Sequence, residues 1–246
     1  MIRFILTVLF VVSFLIISMP LYFVLWLISM KWPRVKDKVS RAVIYWAFSV
    51  VRFIAGTKLV IIGKENIPID QAVLYVGNHR SYFDIILTYI SVPDMTGYIS
   101  KKEMNKIPLL RKWMKGIGCL FLDRDDIRKG MQMILDAVSK IKSGISIFIF
   151  PEGTRNKSED EFLPFRAGSL KIADKSGCPI VPVAINGSDD VFEKHLPKIF
   201  KTTVVIEFAP AIYTAELEKD VKRGLSDQVY TQIKAMYEKN KTLLTD

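Results

Sequence analysis

The stretch Val73-Leu74-Tyr75-Val76-Gly77-Asn78-His79-Arg80-Ser81-Tyr82-Phe83-Asp84-Ile85-Ile86-Leu87-Thr88-Tyr89-Ile90 changes period in its middle. Residues 73–77 form a short apolar run without polar alternation, as a strand buried on both faces does. From Tyr82 to Ile90 the apolar residues recur at helical spacing, and the polar Asn78-His79-Arg80-Ser81 turn separates the two. Working outward, the same alternation repeats. Strands are predicted at 58–63, 73–77, 97–100, 119–123, 145–150, 180–185 and 203–208. Helices are predicted at 82–90, 109–116, 127–142, 167–176 and from about 219 to 241. Strands separated by helices specify an α/β domain around a largely parallel, mixed sheet flanked by helices. Ligands of such sheets gather beyond the carboxyl ends of strands. The loops at 78–84, 122–125 and 151–155 fit that place.

The amino terminus differs in kind. Residues 2–30 carry Arg3 as their only charge, and the run exceeds the roughly 20 apolar residues that cross a bilayer as a helix. A signal peptide would need a basic start, a short apolar core and a small-residue cleavage site. Met30-Lys31-Trp32-Pro33 offers no such site, so the run reads as an uncleaved anchor. Pro20 is expected to kink or break it. Residues 41–56, apolar and aromatic with Arg41 and Arg52 near the ends, read as an amphipathic helix lying in the interface. The two segments can dip into one leaflet or cross. Lys31, Arg34, Lys36, Lys38 and Arg41 between them suit anionic headgroups and place the following domain on the cytoplasmic side of the membrane. The organisation expected is a membrane-anchoring part at 1–56 and a catalytic domain at 57–246.

Net charge is +10. An anionic membrane or an acidic substrate or carrier accounts for it, and the sequence shows no nucleic-acid-binding motif. Cys119 and Cys178 lie far apart without metal-ligand spacing and read as packed thiols.

Three polar constellations follow strand-like runs. In the first, Ser81 and Asp84 resemble a capping box, which puts Asp84 in the first helical turn and His79 just before it. His79 Nδ1 can then meet the carboxylate while Nε2 accepts a proton from a nucleophile. A histidine that only caps or packs also fits. The second, Phe150-Pro151-Glu152-Gly153-Thr154-Arg155, combines a permissive backbone, a hydroxyl and a guanidinium. It reads as an anion-binding loop or as a turn with a surface arginine. The third, Gly118-Cys119-Leu120-Phe121-Leu122-Asp123-Arg124, delivers an acid and a base, and a surface ion pair accounts for it equally. The other histidine, His195, lies in the polar stretch Glu193-Lys194-His195-Leu196-Pro197-Lys198 and reads as solvated.

Taken together, NHRSYFD, GCLFLDR, FPEGTR and IVPVAI, in that order, resemble the four blocks of the glycerolipid acyltransferase family, whose bacterial 1-acylglycerol-3-phosphate acyltransferases look closest. KKEMNKIPLL from Lys101 is similar to the family's segment between the first two blocks. The resemblance runs from about Gly63 to Ile185. It implies that His79 is the catalytic base and Asp84 its partner. It implies that Arg124 holds the acceptor's phosphate, that Glu152, Gly153, Thr154 and Arg155 bind the acceptor, and that Lys101 is a further phosphate contact. Pro182 lies in the fourth block, which serves donor contact or folding. Asn156 departs from the serine that relatives often carry.

The implied reaction moves a fatty acyl group from a thioester to the free hydroxyl of a lysophosphatidic acid, giving phosphatidic acid. Acyl-CoA or acyl-acyl-carrier protein is the co-substrate, with no further cofactor and no metal. No G-x-S-x-G elbow is present, which favours direct transfer over an acyl-enzyme. The alternatives are a relative acting on glycerol 3-phosphate or another lysophospholipid, and a non-catalytic lipid-binding membrane protein.

Overall fold

The computed structural model describes residues 1–123, 126–158, 162–166 and 168–244. Seven strands appear, each within a residue of its expected bounds: β1 (Lys58–Ile62), β2 (Leu74–Gly77), β3 (Thr96–Lys101), β4 (Leu120–Leu122), β5 (Ser146–Ile149), β6 (Ile180–Asn186) and β7 (Thr203–Phe208). They form one sheet in the order β1-β7-β6-β2-β5-β3-β4. Every pairing is parallel except β6 with β7. The expected mixed, largely parallel sheet is therefore the one found.

Among the described residues eight α-helices accompany it: α1 (Ile2–Ile17), α2 (Met19–Ser29), α3 (Pro33–Ala55), α4 (Phe83–Ser91), α5 (Pro108–Gly116), α6 (Ile127–Lys142), α7 (Lys171–Ser176) and α8 (Lys219–Asn240). Alternate strand residues feed two cores. Tyr75, Tyr98 and Phe148 pack with Phe83 and Leu87 of α4 and with Trp113 of α5. Leu74, Val76, Ile147 and Ile149 pack with α6, α7 and α8 on the other face. The chain leaves β2 through α4 towards β3, and leaves β5 through α7 towards β6. Neighbouring strands whose connections depart in opposite directions, over opposite faces, open a crevice at their carboxyl ends.

Two helix boundaries differ from expectation. The last connection of the α/β core enters its helix at Lys171, not 167: Gly168 has φ +96°, outside the helical region, and residue 167 lies outside the described residues. The basic linker before residue 41 is itself helical. Pro33 occupies the first helical position, where its fixed φ and missing N–H cost nothing. Two of the cations expected to face headgroups consequently turn inward. Lys36 donates to Gly116 O (2.9 Å), and Arg41 donates to the carbonyls of Val92 (3.2 Å) and Pro93. Lys31, Arg34 and Lys38 stay exposed.

The amino-terminal run breaks as Pro20 leads one to expect, but at Ser18, with Pro20 inside the first turn of α2. No single helix among the described residues is long and apolar enough to cross a membrane; α1 and α2 pass together, bent by 45°. The bend is tied to the domain. Trp113, 1% exposed, donates from Nε1 to Ser18 Oγ at 2.8 Å, and its ring lies against Phe14 and Tyr22. Replacing Trp113 by alanine removes that ring and bond together. It should lower the unfolding free energy by about 3–5 kcal/mol, as large-to-small core changes do. A drop in the thermal midpoint of the detergent-solubilised protein checks this. A midpoint equal to the parent's would show that the bend does not bear on the core. Both cysteines are buried and free, as expected, and burial pushes the Cys119 thiol up to about 12.

Candidate active site

Gly77 ends β2 and faces the side chain of Phe148, where a Cβ would come within 3.0 Å of the ring. The loop that follows is held from three directions. Asn78, 1% exposed, spans to β6: its amide donates to Ile185 O and its carbonyl accepts from Ile185 N, each at 2.8 Å. This contact gives the 180–185 block a structural part, bracing the His79 loop from the neighbouring strand. Glu152 Oε1 accepts from His79 N at 2.8 Å, and His79 O accepts from Asn156 N at 2.7 Å. The loops after β2 and β5 are thereby clamped together at the crevice.

Asp84 supplies the third hold. Its Oδ2 accepts from Arg80 N (2.7 Å) and Ser81 N (2.8 Å), and lies 2.8 Å from His79 Nδ1. An oxygen already accepting two backbone donors sets the tautomer: Nδ1 carries the proton and donates. Half of the expected capping box forms: Asp84 takes Ser81 N, but the N-cap of α4 is Tyr82, Ser81 Oγ accepts from Phe83 N at 2.9 Å, and Asp84 N donates to Ser81 O (3.3 Å). Phe150 stacks on the imidazole with centroids 4.1 Å apart and planes 15° from parallel. With one edge bonded and one face covered, the ring presents Nε2 outward, and Nε2 has no hydrogen-bond partner among the described residues.

His79 lines a pocket of about 220 Å³. Ile85, Ile99, Met104, Met114, Leu122 and Ile149 give it apolar walls, and Lys101, Gly153, Thr154, Arg155 and Arg166 give it polar ones. Of the residues expected to bind a substrate, Lys101, Gly153, Thr154 and Arg155 therefore meet around His79, while Arg124 lies outside the described residues.

Glu152 stands apart from these residues. It is 3% exposed, both oxygens are occupied by backbone N–H groups (His79 and, at 3.1 Å, Leu163), and it does not line the pocket. Burial raises its pKa above the ordinary carboxylate value, against the pull of those donors. Its hydrogen bonds tie the loop after β2 to the segment after β5. Asp123, at the end of β4, is engaged by Lys102 (2.8 Å) and Lys129 (3.3 Å). These two partners lie 21 and 6 residues away, and Arg124, the base of that constellation, lies outside the described residues.

Sequence reasoning missed Glu193, in the β6–β7 connection. Its carboxylate accepts from Ser81 Oγ, from Tyr82 N (2.8 Å) and from Arg155 Nη1 (3.1 Å). Arg155 also donates from Nη2 to the Tyr82 hydroxyl (3.1 Å) and stacks on that ring at 3.7 Å. One acid thus joins the 78–84 loop to the 151–155 loop from a third segment. Its own stretch carries no local signal of this, because the partners lie 111 and 38 residues away. His195, two residues on, is exposed as expected and lies against Phe200.

Comparison with known proteins agrees with this architecture. The chain is 30% identical over 181 residues to the 1-acyl-sn-glycerol-3-phosphate acyltransferase of Borreliella burgdorferi, covering 74% of this chain and 72% of that protein. It is 36% identical over 151 residues to the probable 1-acyl-sn-glycerol-3-phosphate acyltransferase of Mycoplasma pneumoniae, covering 59% of this chain and 55% of the relative. The crystal structure of the 1-acyl-sn-glycerophosphate acyltransferase of Thermotoga maritima superposes with a TM-score of 0.83, covering 98% of this chain and 95% of that one. At 23% identity that likeness speaks for the fold. The family model described as Acyltransferase matches residues 58–186, from the start of β1 to the end of β6, and includes both clamped loops. The chain belongs to the acyltransferase family.

Proposed function

We propose that the protein transfers a fatty acyl group from a thioester to the sn-2 hydroxyl of 1-acylglycerol 3-phosphate, with His79 as general base, giving phosphatidic acid. The observation that carries this reading is the setting of His79. Its Nδ1 is fixed by buried Asp84, and its Nε2 is left without a partner in a pocket that joins apolar walls to cations. A free hydroxyl is a weak nucleophile at neutral pH. Nε2 takes its proton as the oxygen attacks the thioester carbonyl, and Asp84 steadies the imidazolium. The carbon–sulfur bond then breaks, the new ester carbon–oxygen bond remains, and the imidazolium returns the proton to the departing thiolate. Protons balance and His79 is regenerated. The apolar walls suit an acyl chain and the cations suit a phosphate. The names of the two relatives support this acceptor.

The donor is acyl-CoA or acyl-acyl-carrier protein. Both are anionic, and the net charge of +10 favours their approach. The site of action is an anionic membrane surface on its cytoplasmic side. Helices α1 and α2 turn Phe10, Phe14 and Tyr22 to the domain and leave Ile5, Leu9, Val12, Phe23 and Leu27 exposed. The bend at Ser18 is held by Trp113, and Met114 beside it lines the pocket. A bent pair pinned to the domain supports lying within one leaflet, where the acceptor also resides.

An acceptor panel tests the substrate. Purified protein in liposomes should prefer lysophosphatidic acid over glycerol 3-phosphate by at least about tenfold in kcat/KM, since the first fills an apolar wall that the second leaves empty. A preference for glycerol 3-phosphate would move the protein to a different acceptor within its family.

A further inference from the structure

The three cations around His79 are not equivalent. Arg155 has both terminal nitrogens engaged, by Glu193 and the Tyr82 hydroxyl. Lys101 and Arg166 make no side-chain hydrogen bond or ion pair among the described residues. Arg166 is nonetheless placed. Its backbone N–H donates to Pro151 O at 3.1 Å, which docks the 162–166 segment onto the turn after β5. Its side chain then runs across Gly153. A Cβ on that glycine would stand 2.5 Å from Arg166 Nε and 3.1 Å from Cδ and Cζ. Gly153 also has φ +72°, which disfavours a side chain on backbone grounds alone. The glycine therefore does two things: it makes the turn and it leaves the groove in which the guanidinium lies.

A guanidinium seated in a pocket wall without a carboxylate partner, near an equally unpaired ammonium, is matched to a planar anion with several acceptor oxygens. We propose that Arg166, seated over Gly153, binds the phosphate of the acceptor together with Lys101. This rests on the acceptor being the phosphomonoester of the preceding section. Arg155, already committed to Glu193, holds the two loops in register around the anion.

Kinetics with lysophosphatidic acid, and with glycerol 3-phosphate as a soluble phosphomonoester competitor, test the assignment. Arg166→Ala should raise KM about tenfold or more, the loss of a charged hydrogen bond, with kcat within about threefold of the parent. The inhibition constant of the competitor should rise in step. Arg166→Lys should recover part of the loss. Gly153→Ala should raise KM with the guanidinium still present. Combining it with Arg166→Ala should add little beyond the worse single change, because both act on one contact. A KM and an inhibition constant within about twofold of the parent in Arg166→Ala would overturn the assignment while leaving the acceptor intact. A folded parent that makes no phosphatidic acid would instead remove the acceptor reading, and this proposal with it.

Discussion

Replacing His79 by alanine is expected to lower kcat for phosphatidic acid formation about 10²–10⁴-fold, the range that a positioned general base supplies. KM for either substrate should change little, because the role proposed for the imidazole is on the proton and the cations and apolar walls are untouched. The fold should survive. The loop is held through backbone groups of residue 79, by Glu152 and Asn156, and these contacts do not depend on the side chain. The ring's stacking on Phe150 is lost, at a modest cost in stability. Activity within about threefold of the parent would remove His79 from the mechanism.

Asp84→Asn is the second large effect, and its size depends on charge alone. One oxygen of Asp84 accepts from His79, Arg80 and Ser81, while Oδ1 is buried without a partner among the described residues. An asparagine can present its carbonyl oxygen to the same three donors and place its amide where Oδ1 lies. The loop should keep its shape, and the imidazolium should lose the anion that steadies it. The expected result is a fall in kcat of about 10²–10⁴-fold with a thermal midpoint near the parent's. Asp84→Ala differs, because it leaves buried donors unsatisfied at about 1–3 kcal/mol each and should lower stability as well. If Asp84→Asn kept full activity while Asp84→Ala did not, the aspartate would be a cap and nothing more.

Much of this was legible because its causes are local. Each strand announces itself as a short apolar run ended by a turn residue, and α4 by the change of period at Ser81. His79 and Asp84 lie five residues apart across one strand-to-helix turn, so their meeting follows from the geometry of that turn. The insertion of β5 between β2 and β3 has no local signature: it is decided by which apolar faces pack, and it sets the loops after β2 and β5 side by side. The placement of Glu152 had no local signature either. A glutamate in a loop gives no sign whether it faces a ligand or the backbone of a neighbouring loop, and here it does the second. Glu193 was out of reach for the same reason, since it joins elements that only the folded sheet brings together. At the amino terminus, proline chemistry foretold a break. The place of the break, and its attachment to the domain, come from Trp113, 95 residues away from Ser18.

The proposed reaction is acyl transfer to a lysophospholipid hydroxyl with His79 as the base. The most direct measurement is product formation by purified protein in liposomes carrying lysophosphatidic acid, supplied separately with acyl-CoA and acyl-acyl-carrier protein. Released thiol and phosphatidic acid are quantified for the parent and for His79→Ala. Thiol and phosphatidic acid should form in equal amounts from the parent with at least one donor, and the variant should lose a hundredfold or more. Equal rates from the two proteins, or no phosphatidic acid from a folded parent with either donor, would contradict it.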